Sequence, residues 1–296
     1  MSSAGNSGSA AKFCSEISRD NDESLGASAS RIDHWLLVEY RGLWSHDALA
    51  GSGMSDQVKA RLAELIASRR RTRLLLIRRP DRRRRPGLAV YVADSRQGAE
   101  RLARLDIENH EELRVVDPFQ AAAPVEGPLF VVCTHGKHDR CCALHGRPLW
   151  ETLSEQVDED SVWQCTHIGG DRFAGNVVVL PQGIYYGRVD RGDVASLLDD
   201  HLAGRISLAH YRGRSCWSFA VQAAERRIRA EEGLHRLDDL SLSSVERDPE
   251  GRWTVSFATP DGLREVDVVA ELGELTQLTC TAEAARRPQR FVAMPR

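Results

Sequence analysis

The order of hydrophobic and polar positions along the 296-residue chain predicts two successive α/β segments. In the first segment, three short apolar runs are typical of strands: HWLLVEY, TRLLLIRR and LAVYVAD. SDQVKARLAELIASR has apolar residues at helical spacing after a Ser-Asp start, and SRQGAERLARL is also predicted as a helix. The first segment therefore has a β-α-β-β-α order over about residues 32–107.

The pattern starts again at Gly127. GPLFVVC and SVWQCT predict strands, and VVVLPQGIYYGRV predicts a hairpin around Pro-Gln-Gly. GRPLWETLSEQV predicts a helix with Leu149, Leu153 and Val157 on one face, and DVASLLDDHLAGR predicts another helix. The resulting β-α-β-β-β-α order over residues 127–205 suits a small α/β domain with a mixed sheet, as in thioredoxin-like folds.

The ends of the chain differ from these two segments. Residues 1–30 are rich in Ser, Gly, Ala and Asn, so we expect them to be disordered. SCWSFAVQAAERRIRAEEG predicts a helix, and WTVSFATPDGLREVDVVAE and LTQLTCTAEA predict short antiparallel strands. We divide the chain into a disordered leader (1–30), an N-terminal α/β region (31–125), a thioredoxin-like domain (126–232) and a C-terminal β-rich extension (233–296). The N-terminal region is a second small α/β half, for which a thioredoxin-like arrangement is one interpretation.

Composition and charge restrict the classes of partner. The chain is 42% hydrophobic with a net charge of −3, which gives no general attraction to nucleic acid. No apolar run approaches the roughly 20 residues of a membrane helix, and the N-terminus has no secretory signal. We therefore expect a cytoplasmic protein without a membrane or nucleic-acid partner. The segment Arg69–Arg85 holds ten arginines. It is interpreted either as a solvated strand and turn or as a docking patch for an acidic partner.

Two short stretches concentrate the metal-binding side chains. VVCTHGKHDRCCALHGRP, residues 131–148, holds three of the seven cysteines and three of the ten histidines, and WQCTHIGGDRFAGN adds another of each. Reduced cysteines in the cytosol more often serve metal or redox chemistry than structural disulfides, and thiolates suit zinc, copper(I) and iron–sulfur clusters. Spacing alone does not choose among these metals, and the alternative is that the cysteines are small buried hydrophobic residues.

The same residues resemble those of a known family. CTHGKHDRCCALHGRPLWETL, then VWQCTHIGGDRFAGNVVVLPQGIYYGRV and YRGRSCWSFAVQAAE, resemble the sucrase/ferredoxin-like family, within a similarity that covers about residues 32–230. The resemblance implies a thioredoxin-like ferredoxin fold with a [2Fe–2S] cluster, whose first two ligands fall on Cys133 and Cys142. An H-G-G-H-like motif of the family falls on His167 and on Asp171, where this chain departs from the pattern.

The departure leaves the fourth ligand open. We favour Cys133, Cys142, Cys165 and His167 as the ligand set, with Asp171 or Cys141 as the alternatives to Cys165. The remaining cysteines are interpreted as non-ligands; these are Cys14, Cys216 and Cys280.

The function that follows is electron transfer to an unidentified redox partner, with no catalytic residue assigned. We expect a redox carrier more than an enzyme that converts a substrate. Two alternatives stay open: a thiol-disulfide oxidoreductase that uses the adjacent Cys141 and Cys142, and a zinc-binding interaction module.

Overall fold

The fold is mixed α/β with a separate β-rich part near the C-terminus. The computed structural model describes residues 12–79 and 86–294. Within these ranges, ten strands form one mixed sheet and four strands form a second, antiparallel sheet. This confirms the predicted fold class. No helix in the described residues is long and apolar enough to cross a membrane.

The elements follow the predicted order in most places. The first half contains α1 (Cys14–Asp20), β1 (His34–Glu39), α2 (Asp56–Ala67), β2 (Thr72–Arg78), β3 (Leu88–Asp94), β4 (Arg101–Ile107), α3 (Pro118–Ala121) and β5 (Ala123–Pro124). The second half contains β6 (Leu129–Cys133), α4 (Arg140–Ser154), β7 (Val162–Cys165), β8 (Val177–Leu180), β9 (Ile184–Tyr186), α5 (Val194–Leu202), β10 (Tyr211–Arg214) and α6 (Phe219–Glu232). The second sheet contains β11 (Ser241–Arg247), β12 (Trp253–Thr259), β13 (Gly262–Leu272) and β14 (Gln289–Met294).

The large sheet is built from two halves with the same topology. Its order in the described residues is β10-β9-β8-β6-β7-β2-β1-β3-β4-β5. In the second half, β6 is parallel to β7 and antiparallel to β8, which is antiparallel to β9. In the first half, β1 is likewise parallel to β2 and antiparallel to β3, and β3 is antiparallel to β4. Each half is therefore a thioredoxin-like four-stranded unit, and the two units join through their equivalent edge strands, β2 and β7.

The junction between the halves is short. Strands β2 and β7 are antiparallel and pair at Ile77–Cys165 and Arg78–Gln164, so they overlap at their carboxyl ends. Thr166 continues the contact, since its backbone N–H donates to the Leu76 carbonyl over 2.9 Å. This stagger brings the loops that follow β1, β6 and β7 to the middle of the sheet, next to one another.

Successive side chains along each strand point to opposite faces of the large sheet, so the core is divided between these two faces. Leu129, Val131 and Cys133 of β6 contribute to an apolar cluster that also contains Trp35 of β1, so this face runs through both halves. The opposite face of β6 packs against α4 and α5, whose buried side chains there are Leu149, Trp150, Leu153, Val194, Leu197 and Leu198. Continuous burial of β6 explains its unbroken apolar sequence, because a strand covered on both faces needs no polar alternation.

Two expectations about local structure are wrong. SRQGAERLARL forms the strand β4 instead of a helix, because it pairs with β3 from Leu88–Ile107 to Asp94–Arg101, and this pairing overrides helical spacing. LTQLTCTAEA forms no strand in the structure, apart from an isolated bridge at Thr276. Strands β11 and β14 complete the C-terminal sheet.

The expected disorder of the leader is also wrong for the part that the structure describes. Residues 12–30 include α1 and lie against the second half, with Cys14 and Ala29 fully buried. The buried Glu23 of this segment forms an ion pair at 2.9 Å with the partly exposed Arg172 of the second half, which holds the polar segment in place. Residues 1–11 lie outside the described residues. The domain boundaries that we predict at 125/126 and 232/233 stay predictions.

Candidate metal centre

The first donor loop connects β6 to α4. Cys133 is the last residue of β6, and Asp139 caps α4 by accepting a hydrogen bond from the Cys141 N–H over 2.8 Å. Cys142 therefore lies in the first helical turn, where the free N–H groups and the helix dipole favour a thiolate. The helix approaches the strand end closely: a Cβ at Gly146 would lie 1.9 Å from the Cys133 carbonyl oxygen.

The second donor loop follows β7. Cys165 ends the strand, His167 lies two residues on, and a 3-10 turn begins at Asp171. Gly169 and Gly170 have φ of +97° and +81°, a backbone conformation that favours glycine. This pair of residues turns the chain so that His167 and Asp171 face each other.

The structure brings three of the predicted ligands together. The ligand atoms of Cys133, Cys142 and His167 all lie within 4.8 Å of one another. Asp171 adjoins them, because its Oδ1 lies 3.3 Å from Cys142 Sγ and 2.9 Å from His167 Nδ1. Two thiols, an imidazole and a carboxylate thus converge where the two loops meet.

Cys165 lies beside this group but not in it. It is the β7 neighbour of Cys133 in the parallel register and is completely buried in the apolar cluster. Burial raises the pKa of its thiol, and the nearby Cys133 adds to that effect. Among the described residues, the donor group around Cys133 contains Cys142 and His167 without Cys165.

Charge in the site favours one thiolate and one imidazolium. The hydrogen bond from Cys142 holds the pKa of Cys133 well below its usual range, against the opposing effect of burial, and His167 acts in the same direction. The pKa of Cys142 is raised for the complementary reason, because Cys133 and burial both disfavour a second thiolate. Burial disfavours a charged His167, but Asp171 and Cys133 outweigh it and raise the pKa to about 9. The site is therefore organised around compensating charges.

Two arginines, the buried Arg212 and the partly exposed Arg73, hold the backbone of the second donor loop. Arg212 on β10 is 1% exposed and donates to the Gly169 carbonyl over 3.0 Å and to Asn176 Oδ1 over 2.7 Å. Arg73 on β2 donates to the Ile168 carbonyl over 2.8 Å. These cations fix the backbone between His167 and Asp171. Arg212 belongs to the YRGR stretch, where nothing in the sequence distinguishes a buried arginine from an exposed one.

Histidines from both halves stack above the donor group. The His138 ring lies 3.9 Å from the His167 ring at 18°, and the exposed His46 ring stacks on His138 at 5.0 Å. His135 Nε2 donates to the Ser45 carbonyl over 2.7 Å, which leaves its Nδ1 to accept the His167 N–H at 3.4 Å. His46 and Ser45 belong to the loop after β1, so the N-terminal half forms part of the site.

Comparison with known proteins identifies the family. The model of the family described as sucrase/ferredoxin-like matches residues 25–213, which is more than half of the chain. The chain belongs to the sucrase/ferredoxin-like family. The family's match extends from the leader through both thioredoxin-like halves as far as β10, so it contains both donor loops.

Curated relatives and solved structures show narrower similarity. The chain is 33% identical over 95 residues to "Altered inheritance of mitochondria protein 32" of Meyerozyma guilliermondii, a match covering 29% of this chain and 34% of that protein. The protein of that name from Debaryomyces hansenii is 32% identical over 95 residues, covering 29% and 35%. The match spans about a third of these relatives. A thioredoxin-like [2Fe–2S] ferredoxin from Aquifex aeolicus aligns at 20% identity with a TM-score of 0.28, covering 30% of this chain and 94% of that one.

A second donor group was missed by the sequence analysis. Cys14 and Cys280 meet Cys141 and Asp139 on the outer side of the α4 N-terminus. The sequence predicts Cys14 and Cys280 as non-ligands, because Cys14 belongs to the leader and Cys280 follows an expected strand. Their sequence separation from Cys141 gives no local pattern that could reveal the contact.

Proposed function

We propose that this protein is an electron carrier that holds a [2Fe–2S] cluster through Cys133, Cys142, His167 and Asp171. The observation that carries the proposal is the convergence of Cys133, Cys142 and His167 from two separate loops within 4.8 Å. Asp171 replaces Cys165 as our fourth ligand, since its Oδ1 lies 3.3 Å from Cys142 Sγ. When bound, such a cluster supplies one-electron transfer.

The chemistry of the donor set fits this group. Thiolates are the usual ligands of iron–sulfur clusters, and imidazole replaces thiolate in some two-iron centres, where it raises the reduction potential. The Cys142 thiol lies in the first turn of α4, and the buried Arg212 approaches the second loop, so a negative cluster would meet positive surroundings. The same surroundings exclude water, because Cys133 and Cys142 belong to the apolar core.

A stack of three histidine rings extends from the donor group to the protein surface. The stack from His167 through His138 reaches His46, which is exposed on the loop after β1. In this proposal His167 binds iron while His138 and His46 cover it on the side where a redox partner would approach.

The arginine segment is a weaker candidate for the docking surface. Arg69 and Arg71 pair with Asp117 and Asp33, and Arg79 pairs with Glu159 and Asp160, so these cations are engaged inside the molecule. Arg82–Arg85 lie outside the described residues. Docking of an acidic partner on Arg69–Arg85 stays a prediction, as does the cytoplasmic location, which cell fractionation would test.

A mononuclear zinc site is the second candidate function. The span of 4.8 Å among the donor atoms of Cys133, Cys142 and His167 also suits one tetrahedral ion. Thiol-disulfide exchange through Cys141 and Cys142 has less support. Their sulfur atoms belong to different groups, Cys141 with Cys14 and Cys280, and Cys142 with His167 and Asp171.

Metal analysis of protein purified without oxygen separates these functions. We expect a reddish-brown protein with about two iron and two sulfide per chain that bleaches with dithionite. Cys133→Ser should lose the colour and the iron, whereas Cys216→Ser should keep both, because the half-buried Cys216 belongs to neither donor group. A colourless protein that takes up zinc, but no iron and sulfide under reconstitution, would refute the electron-carrier function.

A further inference from the structure

A second thiol group surrounds the outer face of the α4 N-terminus. The Sγ atoms of Cys14, Cys141 and Cys280 form a triangle with sides of 3.6, 3.3 and 3.5 Å. The Asp139 carboxylate lies 3.9–4.0 Å from Cys14 Sγ. The ligand atoms of these four residues all lie within 4.8 Å of one another.

We propose that Cys14, Cys141, Cys280 and Asp139 bind one Zn²⁺ ion at a site distinct from the [2Fe–2S] ligands. Zinc in a tetrahedral site has Zn–S bonds of about 2.3 Å, which places two sulfur ligands about 3.8 Å apart. The three sides of the triangle fall slightly below this value, so small side-chain rotations would admit the ion. Three thiolates and one carboxylate complete a closed tetrahedral set.

The carboxylate of Asp139 is already oriented toward the thiols. Its Oδ1 accepts the Cys141 N–H over 2.8 Å and its Oδ2 accepts the Cys280 N–H over 2.6 Å. Each carboxylate oxygen can accept a second interaction, so these hydrogen bonds leave it able to bind a metal. Such outer hydrogen bonds are the usual means by which ligands are held in place.

The segment that carries Cys280 is long and has little secondary structure of its own. Residues 273–288 lie between β13 and β14, and in the structure they contain no helix or strand beyond the bridge between Thr276 and Arg286. Connections of this length without secondary structure are uncommon in compact domains and usually have a function. Here the segment reaches the α4 N-terminus, where Cys280 meets Asp139.

A zinc ion at this position would tie three distant parts of the chain together. Cys14 begins α1, Cys141 lies in the first turn of α4, and Cys280 belongs to the C-terminal segment. Since a metal links these parts in the folded state alone, its binding energy adds to folding stability. Because Cys141 and Cys142 are adjacent, one helix N-terminus would supply a ligand to each of two metals.

The donor types and their geometry favour zinc over copper(I). A single carboxylate with three thiolates is a tetrahedral donor set, whereas copper(I) prefers soft ligands alone. Cys14 and Cys141 are fully buried and Cys280 is partly exposed, which leaves a side from which an ion can enter.

The test counts zinc and iron separately in the full-length protein, purified anaerobically with reductant and supplied with Zn²⁺. We expect about one zinc per chain in the parent and none in Cys14→Ser or Cys280→Ser, with iron unchanged and the melting temperature lowered. Cys216→Ser is the matched control and should keep the zinc. Cobalt(II) in place of zinc should give thiolate charge-transfer absorption in the parent that is absent in Cys280→Ser.

The double variant Cys133→Ser/Cys142→Ser separates this site from the cluster. This variant should lose iron but keep about one zinc per chain. The iron count therefore tests the [2Fe–2S] ligands, and the zinc count tests the second site, each independently of the other. Zinc retained in Cys14→Ser and Cys280→Ser would overturn the proposal. Copper bound in preference to zinc, or a disulfide among the three cysteines found by mass spectrometry of the anaerobic protein, would overturn it equally.

Discussion

Replacing Arg212 by methionine tests whether one buried cation holds the loop that carries His167 and Asp171. The guanidinium donates to the Ser28 carbonyl over 2.7 Å and hydroxyl over 3.0 Å, and also to the Gly169 carbonyl and Asn176 side chain. Burial lowers the pKa of Arg212 to about 10, so the side chain stays charged at neutral pH. Methionine has a similar length but donates no hydrogen bond.

The expected cost follows from the acceptors that the substitution leaves behind. Hydrogen bonds to a charged group contribute about 1.5–3 kcal/mol each, but they share one cation and do not add. All four acceptors are neutral, and leaving a buried acceptor unpaired costs about 1–3 kcal/mol. Because these costs do not add fully, we expect the free energy of unfolding to fall by about 3–5 kcal/mol. Because the Gly169 carbonyl loses its anchor, the metal should be released about 10–100 times faster, as when the residues supporting metal ligands are removed.

Urea denaturation and transfer of iron to a chelator measure these two effects. Arg214→Met is the matched control, because Arg214 lies two residues further along β10, is 5% exposed and pairs with Glu100 at 2.9 Å, away from the donor loop. We expect the control to lose stability while it releases iron at the parent rate. Equal iron release by Arg212→Met and Arg214→Met would show that Arg212 stabilises the fold without positioning the ligands.

Three further predictions follow from single side chains. Leu153→Asp should cost about 3–5 kcal/mol of unfolding free energy in urea, because Leu153 is fully buried, whereas Leu144→Asp on an exposed position of α4 should cost little. Burial lowers the pKa of His201 to about 4, so the unfolded chain binds a proton at a higher pH than the folded protein does. The free energy of unfolding should therefore fall by roughly 3 kcal/mol as the pH drops from about 6.5 to 4. His201→Phe should remove this part of the measured pH dependence, and an unchanged slope would contradict the prediction. Asp171→Ala should lose iron and colour while Cys165→Ser keeps both, and the reverse result would restore Cys165 as the fourth ligand.

Strands and helices with a clear period could be predicted from the sequence. The apolar run of β6 and the stripe of Leu149 and Leu153 on α4 depend on burial against the sheet, and the structure places them there. Strand β4 could not be recognised in this way, since SRQGAERLARL has helical spacing and becomes a strand through its pairing with β3. The order of residues 12–30 could not be predicted, because composition does not reveal that the buried Glu23 pairs with Arg172.

The donor loops could be predicted because each is short and rich in cysteine or histidine. Cys133, Cys142 and His167 follow strands or begin a helix, and strand ends at one edge of a sheet lie close together. Asp171 adjoins Cys142 and His167 because of the turn at Gly169 and Gly170. The sequence shows these two glycines, but it does not show the direction in which they turn the chain. Arg212 was missed because a buried cation and a surface arginine look the same in a sequence.

The duplicated topology gives the N-terminal half a role that its sequence does not show. The carboxyl ends of β2 and β7 overlap by two residue pairs, so the loop after β1 reaches the donors that follow β6 and β7. Ser45 fixes the tautomer of His135, and His46 covers His138, although neither residue belongs to the half that carries the cysteines. The position of Cys133 is taken by Glu39 at the end of β1, so in the proposed centre the first half would supply a cover and the second half the ligands. A metal bound at this junction would be covered by the His46–His138 stack without a long insertion, because the stagger of the sheet already brings the loops of both halves together.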